Sequence, residues 1–276
     1  MVISGDWSAY LERFHADQAG ITERILARCR SDGSDPYAWC AEPVGDSRGP
    51  VLDIACGSAP MIDHLHGWIG TDRSAGELAT ARAAGRGPLI RSSATQLAVA
   101  AGATDAVVCS MAMQVIQPVA AAIAEVSRVL RPGGRGVLLL PSGGPLGWRD
   151  ATAYLRLQAA LRRRIGYPND HALARPRLAA IAASSGLMVT SDERRAFSLP
   201  ITSEQDIAEL VQSLYLPGVD PGRLPRAERV LSRRIGTELA VPLRRVVLDS
   251  TGRSRNGVGW PAGSRHVRHT TNGGPP

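Results

Sequence analysis

Two aspartates stand where their charge has chemical meaning. Asp53 closes the apolar start of VLDIACGSAPM, residues 51–61, and the chain then turns through Ala55, Cys56, Gly57, Ser58 and Ala59. Small residues in such a turn leave volume for a ligand, and their amides face it near a helix N-terminus. A carboxylate here repels a pyrophosphate and attracts a cation, such as an ammonium beside a sulfonium. Asp72 ends WIGTD, 19 residues on, where an acid at the end of a second strand commonly takes both hydroxyls of a ribose. The ligand this pair fits is a nucleoside carrying a positive group. A dinucleotide site requires G-x-G-x-x-G, and after Gly57 come Ser58, Ala59, Pro60, Met61 and Ile62 instead.

The elements that must position these acids alternate in type. The spacing of Tyr10, Leu11, Phe14, Ile21, Ile25 and Leu26 predicts two N-terminal helices interrupted near Gly20, followed by a loop from Gly33 to Gly49. Val51–Ala55, Trp68–Asp72, Leu89–Arg91, Ala106–Cys109 and Gly136–Leu140 read as strands, and Arg131-Pro132-Gly133-Gly134 as the turn before the last of them. Ser74–Ala84, with Ser74 as N-cap, and Val119–Leu130 read as the helices between. Strands separated by helices imply a parallel sheet covered on both faces. Further on, helices are expected at Ala151–Arg164, Arg177–Ser185, Ser203–Leu216 and Arg226–Arg234, with extended segments at Leu187–Leu199 and Val241–Asp249. The fold class is therefore α/β, Rossmann-like and doubly wound, with a mainly parallel sheet and an inserted helical cap. Residues 1–249 form one domain and 250–276, rich in Gly, Pro and Arg, a disordered tail. His266 and His269 in that tail are poorly suited to metal, and no metal site is expected.

A chain of 276 residues needs neither disulfides nor metal to hold a core. The four cysteines, Cys29, Cys40, Cys56 and Cys109, are widely spaced and read as reduced cytosolic thiols. The start MVISGDWSAYLERF lacks a secretory pattern. The uncharged run Ala106–Ala124 is cut by Gln114, Gln117 and Pro118, so no membrane partner is expected and the location reads as cytoplasmic. All 32 basic residues are arginine. Residues 1–150 hold 13 Arg against 15 acids, and 151–276 hold the remaining 19 against 10, so the positive charge lies in the second half. Scattered solvated arginines account for it, and RNA is the competing reading.

Five segments together resemble the class I S-adenosylmethionine-dependent methyltransferases over about Val51–Pro141. VLDIACGSAP resembles the first motif of that family and GTDRS its acidic ribose motif. RSSATQL is similar to the adenine-contacting segment, TDAVVCSMAMQVI to the fourth strand with its loop, and VLRPGGRGVLLLP to the turn into the fifth strand. The resemblance implies S-adenosylmethionine as cofactor. It places Asp53, Ala55, Cys56 and Gly57 around the methionine portion, Asp72 on the ribose, Arg73 at the adenine edge, and Ser93 and Ala94 on the rest of the adenine. Cys109, Ser110 and Met111 line the site near the reactive sulfur. Two departures stand out: Ala59 and Pro60 replace the third glycine of the first motif, and Ser93 stands where the family usually has an acid.

Methyl transfer is an in-line displacement in which positioning and a dry site supply much of the rate, so a base is optional. For a hydroxyl or amine acceptor, His15, Tyr10, His171 and Tyr215 are the candidates, with His15 and Tyr215 the catalytic choices. Tyr10 is counted with the cofactor residues, since the family's N-terminal helix commonly folds over the cofactor. Acceptor choice is assigned to residues 1–45, 143–176 and 199–234. With 4% aromatic residues and no added RNA-binding module, the expected acceptor is a small molecule of specialised metabolism. An RNA methyltransferase and a cofactor-binding member that does not methylate are the alternatives.

Overall fold

The computed structural model describes residues 7–251. The tail and its two histidines lie almost wholly outside this range. A seven-stranded sheet carries the chain, in the order β3-β2-β1-β4-β5-β7-β6. β1 (Val51–Ile54), β2 (Trp68–Asp72), β3 (Leu89–Arg91), β4 (Thr104–Ser110) and β5 (Leu130–Pro141) run parallel. β6 (Leu187–Ile201) and β7 (Thr237–Ser250) form a long antiparallel pair, and β7 joins the parallel part by running antiparallel to β5. This is the Rossmann-like, mainly parallel sheet with flanking helices that the alternation predicts.

The two sides of the sheet are read directly from strand alternation. Leu52, Ile54, Val107, Cys109, Leu138 and Leu140 face one apolar layer, beneath α5 (Val119–Val129) and α7 (Arg175–Ser184). Val51, Ala106, Val108, Val137 and Leu139 face the other. That second layer packs beneath α3 (Pro36–Ala41), α6 (Trp148–Leu161), α8 (Glu204–Ser213) and α9 (Leu224–Leu231). The N-terminal helices α1 (Trp7–Asp17) and α2 (Ile21–Leu26) and the crossover α4 (Ala75–Ala83) complete the set.

Three local expectations are corrected. The segment expected as a loop contains α3, because Asp35 accepts from Tyr37 N and Ala38 N at 2.9 Å and Pro36 sits at the first helical position. The expected helix after the Asp53 turn is only a 3-10 stretch, Pro60–His64. Ala59 is left-handed there, with φ 68°, so the chain enters Pro60 at an angle that does not continue into an α-helix. Finally, Arg131–Gly134 lies within β5 as an irregularity, where the register to β4 jumps between Thr104 and Ala106. The free, buried state of all four cysteines agrees with a core held without disulfides.

Candidate active site

At the carboxyl ends of β1 and β2 the turn after Asp53 opens a cavity of about 500 Å³. Ala55 has φ 54°, Gly57 56° and Ala59 68°, so every second residue of the turn is left-handed. For alanine this conformation costs about 1 kcal/mol, and such strain clusters at ligand sites. The turn is held from outside by Asp72, whose Oδ2 accepts from Gly57 N at 2.9 Å and whose Oδ1 accepts from Ser74 N at 2.7 Å. Burial raises the Asp72 carboxyl above its ordinary range, while those two amides and the nearby His15 oppose the rise.

Asp53 is deeper, only 1% exposed. Trp68 Nε1 donates to its Oδ2 at 3.1 Å, whereas Oδ1 is buried with no partner. Desolvation pushes the carboxyl from 3.8 up to about 8, the indole pulls it down, and Asp72 adds to the rise. Burial therefore favours the neutral acid at Asp53 over the negative charge expected there. Gly70 makes room for this arrangement: a Cβ there would collide with the Trp68 ring and lie 2.8 Å from Cys56 Sγ. Gly70→Ala is expected to destabilise the fold by about 2 kcal/mol, seen as a drop in melting temperature, because neither neighbour has space to retreat.

The same cavity is lined by Ala55, Cys56 and Gly57 from the turn, by Arg73, Ser93 and Ala94 just after the second and third strands, and by Ser110 at the end of β4 and Met111 just after it. His15 and Tyr215 also line it. Two expected residues do not. Cys109 points to the opposite side of the sheet and is wholly buried in the α5 layer, as strand alternation from Ser110 requires. The Tyr10 hydroxyl accepts from Leu216 N at 2.8 Å, so it braces the segment after α8 and lines neither described cavity. His171 is exposed before α7 and lines neither cavity either.

Glu77, on α4, was not anticipated. Its Oε1 lies 2.8 Å from His15 Nδ1 and its Oε2 accepts from Gly20 N at 3.0 Å. His15 Nε2 lies 3.2 Å from the Tyr215 hydroxyl. Three elements therefore meet over the cavity: α1, the start of α2 and α4. Among the described residues no group of His, Cys, Asp and Glu is arranged to hold a metal.

A second cavity of about 580 Å³ adjoins the first, and both are lined by Thr22, Met111 and Tyr215. Its walls are largely apolar, with Leu140, Tyr154, Leu157, Ile165, Leu210 and Leu243 among them. The loop between the cavities is rigidly tied: Gln114 Nε2 donates to Met111 O at 2.6 Å, and Asn169 Nδ2 donates to Met113 O and Ile116 O. Met111 itself is left-handed, with φ 55°.

Residues 52–138 match the family model described as a methyltransferase domain. The chain carries a methyltransferase domain. Its fold is that of the class I S-adenosylmethionine-dependent methyltransferases. The chain is similar to the demethylmenaquinone methyltransferase of Mycolicibacterium paratuberculosis, 40% identical over 113 residues, or 38% of this chain and 49% of that protein. The corresponding protein of Mycolicibacterium vanbaalenii is 40% identical over 92 residues, 32% of this chain and 40% of its own length. These matches span half or less of the relatives' own lengths. Among solved structures, a methyltransferase of Thermotoga maritima, described as a possible histamine N-methyltransferase, superposes with a TM-score of 0.52 at 11% identity, covering 88% of this chain and 99% of that one. The 4+2 cyclase SpnF superposes with a TM-score of 0.53 at 15% identity, covering 87% and 94%. At such identities the likeness is one of fold.

The residues of the methyltransferase domain fit an adenosyl sulfonium. A buried carboxyl oxygen without a partner calls for a donor, and the ammonium of a methionine group supplies one. Asp72 keeps a free lone pair on each oxygen after accepting its two amides, enough for two ribose hydroxyls. Ser93 Oγ is already engaged with Thr95 Oγ1 at 2.9 Å and Thr95 N at 3.3 Å, so it is a weaker adenine partner than an acid.

Proposed function

We propose that this chain binds S-adenosylmethionine in the first cavity and transfers the methyl group to a small molecule seated in the second. The observation that carries this reading is the juxtaposition of the two cavities. One holds Asp53 and Asp72, the other is apolar, and Met111, Thr22 and Tyr215 line both. A methyl donor in the first and an acceptor in the second would approach each other at that shared boundary, as an in-line transfer requires. The cofactor supplies an electrophilic methyl group when bound. Asp53 would accept from its ammonium and Asp72 would orient its ribose, while the apolar walls near Met111 would exclude water.

The segments assigned to acceptor choice supply part of the acceptor cavity, beside walls from β5 and β7. Tyr154, Leu157 and Gln158 come from α6, Leu210 and Ser213 from α8, and Ile25 and Leu26 from α2. A volume of this size suits a drug-sized molecule rather than a folded polymer. Calorimetry with S-adenosylmethionine and S-adenosylhomocysteine tests the cofactor, and absence of heat at millimolar ligand would sink it. Incubating the protein with methyl-labelled cofactor and a cell extract then tests transfer. Label is expected in a small product, while label in RNA, or cofactor recovered intact with no labelled product, would overturn the acceptor reading.

A further inference from the structure

Tyr215 occupies an unusual position. It is 8% exposed overall, yet it lines both cavities, and its hydroxyl points at His15 Nε2 from 3.2 Å. Behind His15 stands Glu77, 2.8 Å from Nδ1 and fixed in turn by Gly20 N. A carboxylate on Nδ1 keeps the proton there and leaves Nε2 as the acceptor, directed at Tyr215. The phenol ring is locked by an edge contact with Phe14, centroids 4.7 Å apart, and the backbone following it is held by Tyr10.

The second cavity also defines the chemistry of its occupant. Arg244 is spent on Asp192, at 2.7 and 2.9 Å, and on Leu173 O. Asp170 accepts from Tyr167 N at 2.8 Å, and Arg194 is exposed. The remaining walls are chiefly apolar, so a charge on the part of the acceptor away from Asp170 and the exposed Arg194 would be desolvated without a counter-charge.

We propose that the second cavity takes a neutral, largely apolar acceptor bearing a hydroxyl, and that Tyr215, His15 and Glu77 draw off the hydroxyl proton during methylation. This rests on the methyl-transfer reading above. The acceptor oxygen forms its bond to the methyl carbon as the carbon–sulfur bond breaks, and that electron pair stays on sulfur. The hydroxyl proton passes to the Tyr215 oxygen while the Tyr215 proton passes to His15 Nε2. His15 becomes an imidazolium paired with Glu77 and later releases the proton to water. Tyr215 serves as a conduit, because burial pushes its phenol well above the usual range and disfavours a standing phenolate. His15 is faced by Glu77 from α4 and Asp72 from the end of β2, with Glu12 and Arg73 on the same cavity wall. Tyr167, Glu77, Tyr10 and Asp72 are the titratable groups that act on Tyr215.

The test uses 2-naphthol, an apolar phenol whose emission distinguishes the neutral from the ionised form, on the full chain saturated with S-adenosylhomocysteine. Wild-type protein should bind it and lower the pH at which its ground state ionises, read by absorbance, by one unit or more relative to Tyr215→Phe and Glu77→Gln. Tyr215→Phe keeps the ring and should bind neutral naphthol within about twofold of wild type at pH 6. Retained S-adenosylhomocysteine binding, measured by calorimetry, shows that each variant is folded. Naphthol that fails to bind, or that ionises identically in all three proteins, overturns the proposal. Loss of S-adenosylhomocysteine binding by the wild type would instead refute the underlying transferase reading.

Discussion

Asp72→Ala lowers affinity for S-adenosylhomocysteine by about two orders of magnitude, against a severalfold loss for Ser93→Ala. The asymmetry follows from what each side chain holds. Asp72 is 8% exposed and its two oxygens accept from Gly57 N and Ser74 N, so it fixes the cofactor turn to the start of α4 before any ligand arrives. Alanine removes two acceptors for the ribose and leaves two backbone donors without partners. Hydrogen bonds to a charged acceptor contribute about 1.5–3 kcal/mol each, so losing their surplus over water at two hydroxyls reaches ~3 kcal/mol, a hundredfold. Ser93 offers one hydroxyl already shared with Thr95, and its loss stays near 1 kcal/mol. Asp72→Asn keeps one carbonyl acceptor and should fall between. Calorimetric titration of the three variants decides the matter, and equal losses for Asp72→Ala and Ser93→Ala would show that Asp72 does not face the ribose.

The sheet was legible because its strands are short apolar runs ended by residues with a positional meaning. Asp53 and Asp72 close β1 and β2, and Ser74 caps α4 by accepting from Glu77 N at 3.3 Å. What escaped were elements whose signals are shared with loops. Asp35-Pro36 inside a stretch bounded by Gly33 and Gly49 reads as a turn, yet the same pair is an N-cap followed by a proline in the first helical position. The 3-10 stretch at Pro60–His64 could not be distinguished from an α-helix, because its cause is a backbone angle at Ala59 that alanine rarely adopts.

The site divided in the same way. Residues set by local pattern reach the cavity: the turn 55–57, Asp72 and Ser110. Cys109 and Ser110 are neighbours on one strand and project to opposite faces of the sheet, so only Ser110 reaches the cavity. Glu77 was hidden by its own sequence context, for Ser74-x-x-Glu77 is a capping-box pattern in which the glutamate should turn back to the cap. In the fold that side chain leaves the cap and crosses to His15 and Gly20 on the N-terminal helices. Such a partner, 62 residues away in sequence, comes only from tertiary packing.

Asp53→Asn should stabilise the ligand-free protein at pH 8 while weakening its grip on S-adenosylmethionine, and the two effects share one origin. Folded, the Asp53 carboxyl keeps its proton up to about pH 8, whereas its ordinary value is 3.8. Between these values the folded state binds more protons than the unfolded one, so stability falls as pH rises across that window and levels off above it. Asparagine has no proton to lose, and its carbonyl can still accept from Trp68 Nε1. The melting temperature of the variant should therefore exceed that of the wild type at pH 8, with the difference shrinking toward pH 4. Binding reports the same proton from the other side. At pH 7 an arriving ammonium converts the neutral acid into a carboxylate beside it, because the opposite charge offsets the desolvation that held the proton in place. Calorimetry in buffers of different ionisation enthalpy should then count close to one proton released per cofactor in the wild type and none in Asp53→Asn. The variant also loses a charge-assisted contact of about 1.5–3 kcal/mol, a ten- to hundredfold drop in affinity. Equal proton counts in the two proteins would mean that the cation does not meet Asp53, since no other change in the variant alters what that side chain can release.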